Sequence, residues 1–219
     1  MIGMKYDLVI FDLDGTTLAT LTDLADAANR TLAGFGFPTQ SNDKIRTCIG
    51  SGMANLIRQA APEGTPEEVI QQMLTQFKAD YAENINVRTA PYPGVSEMMK
   101  VLRSAGVKIA VNSNKIDSAV NALCEAHFPG LYEFALGERA EIPRKPSPAG
   151  AQMIMQKLGA VAERTLYVGD SNIDLLTAAN AGIDCAWVSW GFRSREELSD
   201  LKIDHAFDTA EELTAFILG

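Results

Sequence analysis

Two aspartates that follow an apolar run are the residues of this chain best suited to chemistry. Residues 8–11 (LVIF) are followed by Asp12 and Asp14, with Gly15 directly after them. The run predicts a buried strand, and residues two apart on an extended segment point the same way, so both carboxylates should face one spot. Ionised carboxylates beside a core are costly unless a cation or donor compensates them. The pair therefore indicates a hard divalent cation such as Mg²⁺, an aspartate nucleophile, or both.

Further polar side chains stand where later strands are predicted to end. They are Ser113, Asn114, Lys145, Asp170 and Asp174. In open parallel sheets, ligands bind at the carboxyl ends of the strands. The set therefore predicts a single site assembled from distant parts of the chain.

These residue types fit phosphoryl transfer. A phosphate monoester and an aspartate repel each other, so an attacking carboxylate needs cations around it. The predicted Mg²⁺ ligands are Asp12, Asp14 and Asp170, and we expect one ligand atom to be a backbone carbonyl oxygen. Asp174, one helical turn after Asp170, is expected to orient a metal-bound water. Lys145 supplies the remaining positive charge.

The other roles follow from the same chemistry. Asp12 is the predicted nucleophile, which forms an aspartyl-phosphate. Asp14 is expected to protonate the leaving oxygen and later to deprotonate the attacking water. Ser113 and Asn114, together with Lys145, are the predicted ligands of the substrate phosphate, helped by the N–H groups of the helix start that follows. Lys115 could face the site or equally lie at the surface.

Each residue also has an ordinary structural explanation. Ser113 could cap a helix, Asp174 could be a favourable acid in the first turn of a helix, and Lys145 could be a solvated loop residue. The catalytic interpretation is favoured because all these features fall on the same edge of one predicted sheet.

The pattern of apolar residues predicts the scaffold. After residue 90, short apolar runs alternate with segments of helical periodicity, which predicts an α/β fold, a doubly wound parallel sheet with a Rossmann-like core. Residues 18–85 have helical periodicity and no strand pattern. We expect residues 1–17 and 86–219 to form the catalytic core, and residues 18–85 to form a small all-helical cap that acts as a lid.

Composition limits the partners and the compartment. The chain has 28 acidic and 19 basic residues, a formal net charge of -9, which argues against binding to nucleic acid or anionic membranes. Its 3 cysteines are far apart and predict reduced thiols. No signal or membrane-length apolar segment is evident. We expect a cytoplasmic monomer or homodimer that acts on a small phosphorylated molecule and binds neither nucleic acid nor membrane.

Four motifs resemble those of the haloacid dehalogenase superfamily. They are residues 11–16 (FDLDGT), 111–115 (VNSNK), 145–148 (KPSP) and 167–174 (YVGDSNID). Their order and spacing fit, and the similarity covers nearly the whole chain. The helical segment after the first motif is similar to the small cap of the phosphoglycolate-phosphatase-like subfamily. The resemblance implies the aspartyl-phosphate route, Mg²⁺, a cap that closes over the substrate, and 2-phosphoglycolate as the best single substrate.

The sequence departs from the subfamily pattern at Ala19, where members often have aspartate. This position lies at the expected cap hinge and leaves the catalytic groups intact. A β-phosphoglucomutase-like phosphosugar mutase and a pyrophosphatase remain open, because both use the same groups. A hydrolytic dehalogenase needs neither Asp14 nor a metal. A non-catalytic scaffold would be expected to have lost one of the catalytic residues.

Overall fold

The computed structural model describes residues 5–219. They form two compact units. The first comprises the described residues through Leu18 together with Pro91–Gly219, and the second comprises Ala19–Ala90. The division expected from the sequence, at 17/18 and 85/86, falls slightly before these boundaries. Its assignment of one part as catalytic core and the other as lid stays a prediction.

A six-stranded parallel sheet forms the centre of the first unit. Its strands are β1 (Leu8–Phe11), β2 (Lys108–Ile116), β3 (Phe134–Glu138), β4 (Thr165–Gly169), β5 (Asp184–Val188) and β6 (His205–Phe207). Their order across the sheet is β3-β2-β1-β4-β5-β6, and all neighbours pair in parallel. The predicted parallel α/β fold with a Rossmann-like sheet is confirmed.

The helices divide between the two units. In chain order they are α1 (Leu21–Gly34), α2 (Asn42–Cys48), α3 (Met53–Ala60), α4 (Glu67–Asn84), α5 (Val95–Ser104), α6 (Asp117–His127), α7 (Ala149–Leu158), α8 (Asn172–Ala181) and α9 (Ala210–Leu218). Helices α1 to α4 lie in the second unit, and the other five lie in the first. Within residues 5–219, none of the helices combines the length and the apolar character that crossing a membrane requires.

Apolar side chains on both faces bury the central strand β1. Leu8 and Ile10, with Tyr167 of β4, pack in one cluster with residues of α7 and α8. Val9 and Phe11 alternate with them, so they point to the opposite face, and they are fully buried as well. A continuous apolar run is typical of a parallel strand covered on both faces. Because β1 is buried on both faces, the residues that directly follow it are attached to a well-packed strand.

Strand β2 is longer than the sequence indicates. The apolar run predicts a strand at residues 107–111, whereas the structure continues β2 to Ile116 and begins α6 at Asp117. Ser113 therefore lies on the strand and does not cap the helix, whose N-cap is Ile116. The pattern stops early because residues 112–115 are polar side chains buried in the protein.

The second unit has an apolar core made by its own helices. Leu24, Ala28 and Leu32 form the buried stripe of α1, as their helical spacing predicts. The rings of Phe77 and Tyr81 in α4 are stacked, with centroids 5.6 Å apart. These side chains belong to one buried cluster within residues 19–90.

Asp23 joins the beginning of the second unit to its end. Its buried carboxylate accepts hydrogen bonds from the N–H groups of Val87 at 3.0 Å, Arg88 at 2.9 Å and Thr89 at 2.9 Å, and from the Thr89 hydroxyl at 2.8 Å. Burial raises the pKa of Asp23, but the hydrogen bonds from Arg88 and Thr89 outweigh it and lower the pKa below its ordinary value. The ionised carboxylate therefore holds residues 87–89 against α1.

Candidate active site

Three central strands bring charged side chains to one edge of the sheet. Asp12 directly follows β1, and its N–H group donates to the carbonyl of Val168 in β4 at 2.9 Å. Asp170 directly follows β4, and the polar residues 113–115 lie on β2. Because these strands are neighbours, residues far apart in the sequence meet here.

A buried lysine lies between two carboxylates. The Nζ atom of Lys145 is 2.7 Å from Oδ1 of Asp12 and 2.7 Å from Oδ1 of Asp174. All three residues are buried. Burial lowers the pKa of Lys145, but the two carboxylates outweigh this effect and raise the pKa well above its usual value. Lys145 is therefore a positive charge in contact with the predicted nucleophile.

Asn114 fixes the backbone of Lys145. The Lys145 N–H group donates to Oδ1 of Asn114 at 2.8 Å, and Nδ2 of Asn114 donates to the Lys145 carbonyl at 3.0 Å. Both atoms of this carboxamide therefore contact the lysine backbone. The sequence suggests Asn114 as a phosphate ligand, and that role stays a prediction.

Asp170 is held by neutral hydrogen-bond donors. Its Oδ1 accepts from the Thr16 hydroxyl at 3.1 Å, and its Oδ2 accepts from the Phe192 N–H group at 2.6 Å. The indole N–H of Trp187 donates to the Asp170 carbonyl at 3.0 Å. Burial and the Asp174 carboxylate raise the pKa of Asp170 to about 7, although the Phe192 and Thr16 hydrogen bonds offset part of the rise.

Two glycines leave the space that Asp170 occupies. A Cβ atom at Gly15 would lie 2.7 Å from Oδ2 of Asp170, and one at Gly191 would lie 2.2 Å from its Cβ atom. Gly15 also has a φ of 90°, which favours glycine. The carboxylate therefore fits here only because two neighbouring positions have no side chain.

Asp174 lies in the first turn of α8, and both of its carboxylate oxygens accept hydrogen bonds. Its Oδ2 accepts from the Ser171 N–H group at 3.1 Å and from the Ser171 hydroxyl at 2.6 Å. Its Oδ1 accepts from Lys145 at 2.7 Å. Asp174 is therefore held rigidly beside Asp12 and Asp170.

Asp12, Asp170 and Asp174 could hold a divalent cation. Each offers one carboxylate oxygen, and these oxygens lie within 4.8 Å of one another. Burial and the neighbouring carboxylates raise the pKa of Asp12 despite Lys145. Three carboxylates lie together here, and Lys145 is the cation paired with two of them, so ionised carboxylates would leave an excess of negative charge. A bound cation would relieve that excess, and a set of oxygen ligands suits Mg²⁺. The residues fit Mg²⁺, and the predicted part of Asp14 as a ligand stays a prediction.

A second buried ion pair joins Asp14 to Lys115. The Lys115 Nζ atom is 2.7 Å from Oδ1 of Asp14, and 2% of the lysine side chain is exposed. The Lys115 N–H group donates to Oγ of Ser113 at 3.2 Å. From the sequence alone, Lys115 could equally lie at the surface. The one signal for a place in the site is its position two residues after Ser113, since such residues lie on the same side of an extended segment.

The arrangement defines a class of chemistry. A carboxylate beside a charged lysine can attack an electrophile, an oxygen-rich acidic set can bind a cation, and a further carboxylate can move a proton. Together with the parallel α/β sheet, this set has the groups that an enzyme needs to transfer an anionic group.

Comparison with known proteins gives the family. The model of the haloacid dehalogenase-like hydrolase family matches residues 9–188. The chain belongs to the haloacid dehalogenase-like hydrolase family, as its four motifs predict.

The relatives include phosphoglycolate phosphatases. The chain is 35% identical over 211 residues to phosphoglycolate phosphatase 1 of Pseudomonas aeruginosa, covering 92% of this chain and 77% of that protein. It is 30% identical over 214 residues to the phosphoglycolate phosphatase of Colwellia psychrerythraea, covering 94% and 95%. A solved structure of a candidate phosphoglycolate phosphatase from Lactobacillus delbrueckii subsp. bulgaricus superposes with a TM-score of 0.94 at 37% identity, covering 99% and 100%. The predicted resemblance to this subfamily and the prediction of a phosphatase-type hydrolase are confirmed.

Proposed function

We propose that the chain is a Mg²⁺-dependent phosphatase that hydrolyses a small phosphorylated metabolite through an aspartyl-phosphate on Asp12. The observation that carries the proposal is the charged Lys145, 2.7 Å from Asp12 and 2.7 Å from Asp174, next to the carboxylate of Asp170. The relatives named above make 2-phosphoglycolate the first substrate to test.

Binding of the phosphate group needs positive charge at this edge of the sheet. Lys145 supplies one charge, and the Ser113 hydroxyl can donate to a phosphate oxygen. Mg²⁺ bound at Asp12 and Asp170, with a backbone carbonyl, would offset the repulsion between the phosphate group and the carboxylates. Asn114 keeps the Lys145 backbone in place through its two hydrogen bonds.

The reaction then divides into two displacements. A carboxylate oxygen of Asp12 attacks phosphorus, and the bond from phosphorus to the leaving oxygen breaks. Asp14 gives a proton to that oxygen, then takes a proton from the water that attacks the aspartyl-phosphate. The products are an alcohol and inorganic phosphate, and both carboxyl groups return to their starting state.

The second unit completes the proposal. Residues 19–90 act as the lid that excludes bulk water from the reaction and selects the substrate. We further propose that the enzyme works in the cytoplasm as a monomer or homodimer.

A substrate panel tests the function. The wild-type protein would be assayed with Mg²⁺ on 2-phosphoglycolate, pyrophosphate and β-glucose 1-phosphate, with phosphate release and sugar phosphate conversion both measured. We expect phosphate release with the highest kcat/KM for 2-phosphoglycolate. A higher kcat/KM for pyrophosphate would identify the protein as a pyrophosphatase. Conversion of the sugar phosphate without phosphate release would indicate a mutase.

Replacement of the nucleophile gives the sharpest single test. Asp12→Asn should lower kcat for phosphate release by at least about 1,000-fold, because the amide cannot form the aspartyl-phosphate. Circular dichroism would verify the fold. Asp7→Asn is the matched control, because Asp7 is an exposed residue paired with Arg164, and this variant should keep wild-type kcat. A wild-type kcat in Asp12→Asn would exclude Asp12 as nucleophile.

A further inference from the structure

Lys115 is paired with the carboxylate that the proposed reaction uses for proton transfer. The exposed fractions of the two side chains are 2% for Lys115 and 13% for Asp14. The two residues are 101 positions apart in the sequence, so the fold, and not local chain geometry, brings them together.

This pair is separate from the pair at the nucleophile. Lys145 contacts Asp12 and Asp174, whereas Lys115 contacts Asp14. A buried ion pair adds little net stability compared with apolar residues of similar size, so stability alone does not account for Lys115. One lysine serves the attacking carboxylate, and another serves the carboxylate that moves the proton.

The two partners lie on different parts of the fold. Asp14 lies in the turn after β1, where the Gly15 N–H group donates to the Leu18 carbonyl at 3.0 Å. Lys115 lies near the end of β2, beyond the residues of β2 that pair with β1, and its N–H group donates to Oγ of Ser113. The ion pair therefore connects the turn that carries Asp14 to the end of β2.

We propose that Lys115 is a positioning residue for Asp14, which keeps the Asp14 carboxyl where it can reach the leaving oxygen. This inference rests on the proposed function. Displacing a catalytic group by about 1 Å can cost about 100-fold in rate. Loss of Lys115 should therefore slow the steps that need Asp14 and spare those that do not.

Two substrates with different leaving groups separate these cases. The alkoxide of 2-phosphoglycolate needs a proton as it leaves, whereas the phenolate of 4-nitrophenyl phosphate does not. The kcat/KM value reports only the steps through formation of the aspartyl-phosphate, so the later attack of water does not enter. The ratio of the two kcat/KM values therefore measures the contribution of Asp14 to leaving-group departure.

Lys115→Met keeps the size of the side chain and removes its charge. We expect kcat/KM to fall about 10- to 100-fold for 2-phosphoglycolate and less than about 3-fold for 4-nitrophenyl phosphate. Lys115→Arg keeps the charge and should recover part of the loss. Lys100→Met is the matched control, because Lys100 forms an exposed ion pair with Glu97 at 3.4 Å, and neither rate should change.

A double-mutant cycle identifies the group through which Lys115 acts. Asp14→Asn should show the same selective loss, and adding Lys115→Met to it should cost little more, because both changes affect one carboxyl group. The proposal would be overturned if Lys115→Met left the ratio of the two kcat/KM values unchanged, which includes an equal loss on both substrates. It would also be overturned if the losses of Asp14→Asn and Lys115→Met were additive in the double variant. If Lys115→Met does not fold, Lys115→Gln is read by the same ratio and the same cycle.

The proposed function fails in a different way. In that case the wild-type protein releases no phosphate, or Asp14→Asn slows both substrates equally, which would also remove the basis for the role of Lys115. Selective loss in Asp14→Asn without selective loss in the Lys115 variants would overturn this inference alone.

Discussion

Asn114 shows how one side chain can support the site through the backbone of another residue. Its carboxamide forms two hydrogen bonds to the backbone of Lys145, at 2.8 and 3.0 Å, and both residues are buried. The side chain of Lys145 can contact Asp12 and Asp174 only if its backbone keeps this position. The two hydrogen bonds of Asn114 therefore restrain the position from which the Lys145 side chain extends.

Removing the Asn114 carboxamide should weaken catalysis, because it leaves Lys145 less firmly positioned. Asn114→Ala is expected to lower kcat/KM for 2-phosphoglycolate by about 10- to 100-fold, because the ammonium group is no longer held in position. The effect should be much smaller in a Lys145→Met background. Asn180→Ala is the control, because Asn180 donates to the carbonyl of Pro146, the residue after Lys145, at an exposed site. This variant should keep the wild-type kcat/KM. A full additional loss in the double variant would exclude this explanation.

Some residue contacts could be predicted from the sequence and others could not. Asp12 and Asp170 are visible in the chain because each directly follows an apolar run that forms a strand. Lys145 is visible as a lysine before Pro146 in the loop after the third predicted strand. The Lys115 contact with Asp14 depends on how far β2 continues, and polar residues hide that continuation. The Phe192 N–H group that donates to Asp170 has no side-chain signal at all.

The strands explain why the apolar pattern of the sequence is sufficient to predict the fold class. Parallel strands covered on both faces read as continuous apolar runs, so β1 and β4 are easy to place. Residues 112–115 of β2 are polar, and the predicted end of this strand at residue 111 is therefore wrong. The buried polar residues of β2 are compensated by contacts within the site, and those contacts depend on tertiary structure.

The Asp23 carboxylate is the main polar contact between α1 and residues 87–89. Asp23→Asn should lower the free energy of unfolding by about 2 kcal/mol, because an amide cannot accept all the hydrogen bonds of the buried carboxylate. Urea unfolding at pH 7 measures the change. Asp26→Asn is the control on the same helix, because Asp26 forms a half-exposed ion pair with Arg88, and it should cost about 0.5 kcal/mol or less.

The stabilisation by Asp23 should depend on pH in a defined direction. The folded-state pKa of Asp23 is lowered, so its contribution is complete above the unfolded-state pKa of about 3.9 and is lost as pH falls through the lower folded-state pKa. The difference in unfolding free energy between the wild-type protein and Asp23→Asn should therefore shrink below about pH 4. A difference that stays constant across this range would contradict the assignment.

A metal ion bound at the proposed site should stabilise the folded state of the protein. Asp12 is far along the chain from Asp170 and Asp174, and the fold brings the three carboxylates together. A ligand that binds only the folded state raises its stability. Mg²⁺ at 100 times its dissociation constant should add about 2.7 kcal/mol, seen as a higher Tm that EDTA reverses.

The metal prediction has a control that does not depend on activity. Asp170→Asn should lose most of the Mg²⁺-dependent rise in Tm, whereas Asp7→Asn, which changes an exposed carboxylate, should keep it. An equal rise in all three proteins would place the Mg²⁺ effect outside this cluster.

The two chain crossings between the units lie side by side. Leu18 forms a β-bridge with Pro91, and the Ala19 N–H group donates to the Ala90 carbonyl at 2.8 Å. A segment that departs and rejoins at neighbouring backbone positions can be lengthened, shortened or exchanged with little disturbance of the strand that precedes Asp12 and of the loop that contains Lys145. Mutation and selection can therefore alter the inserted helices while the first unit keeps its own fold.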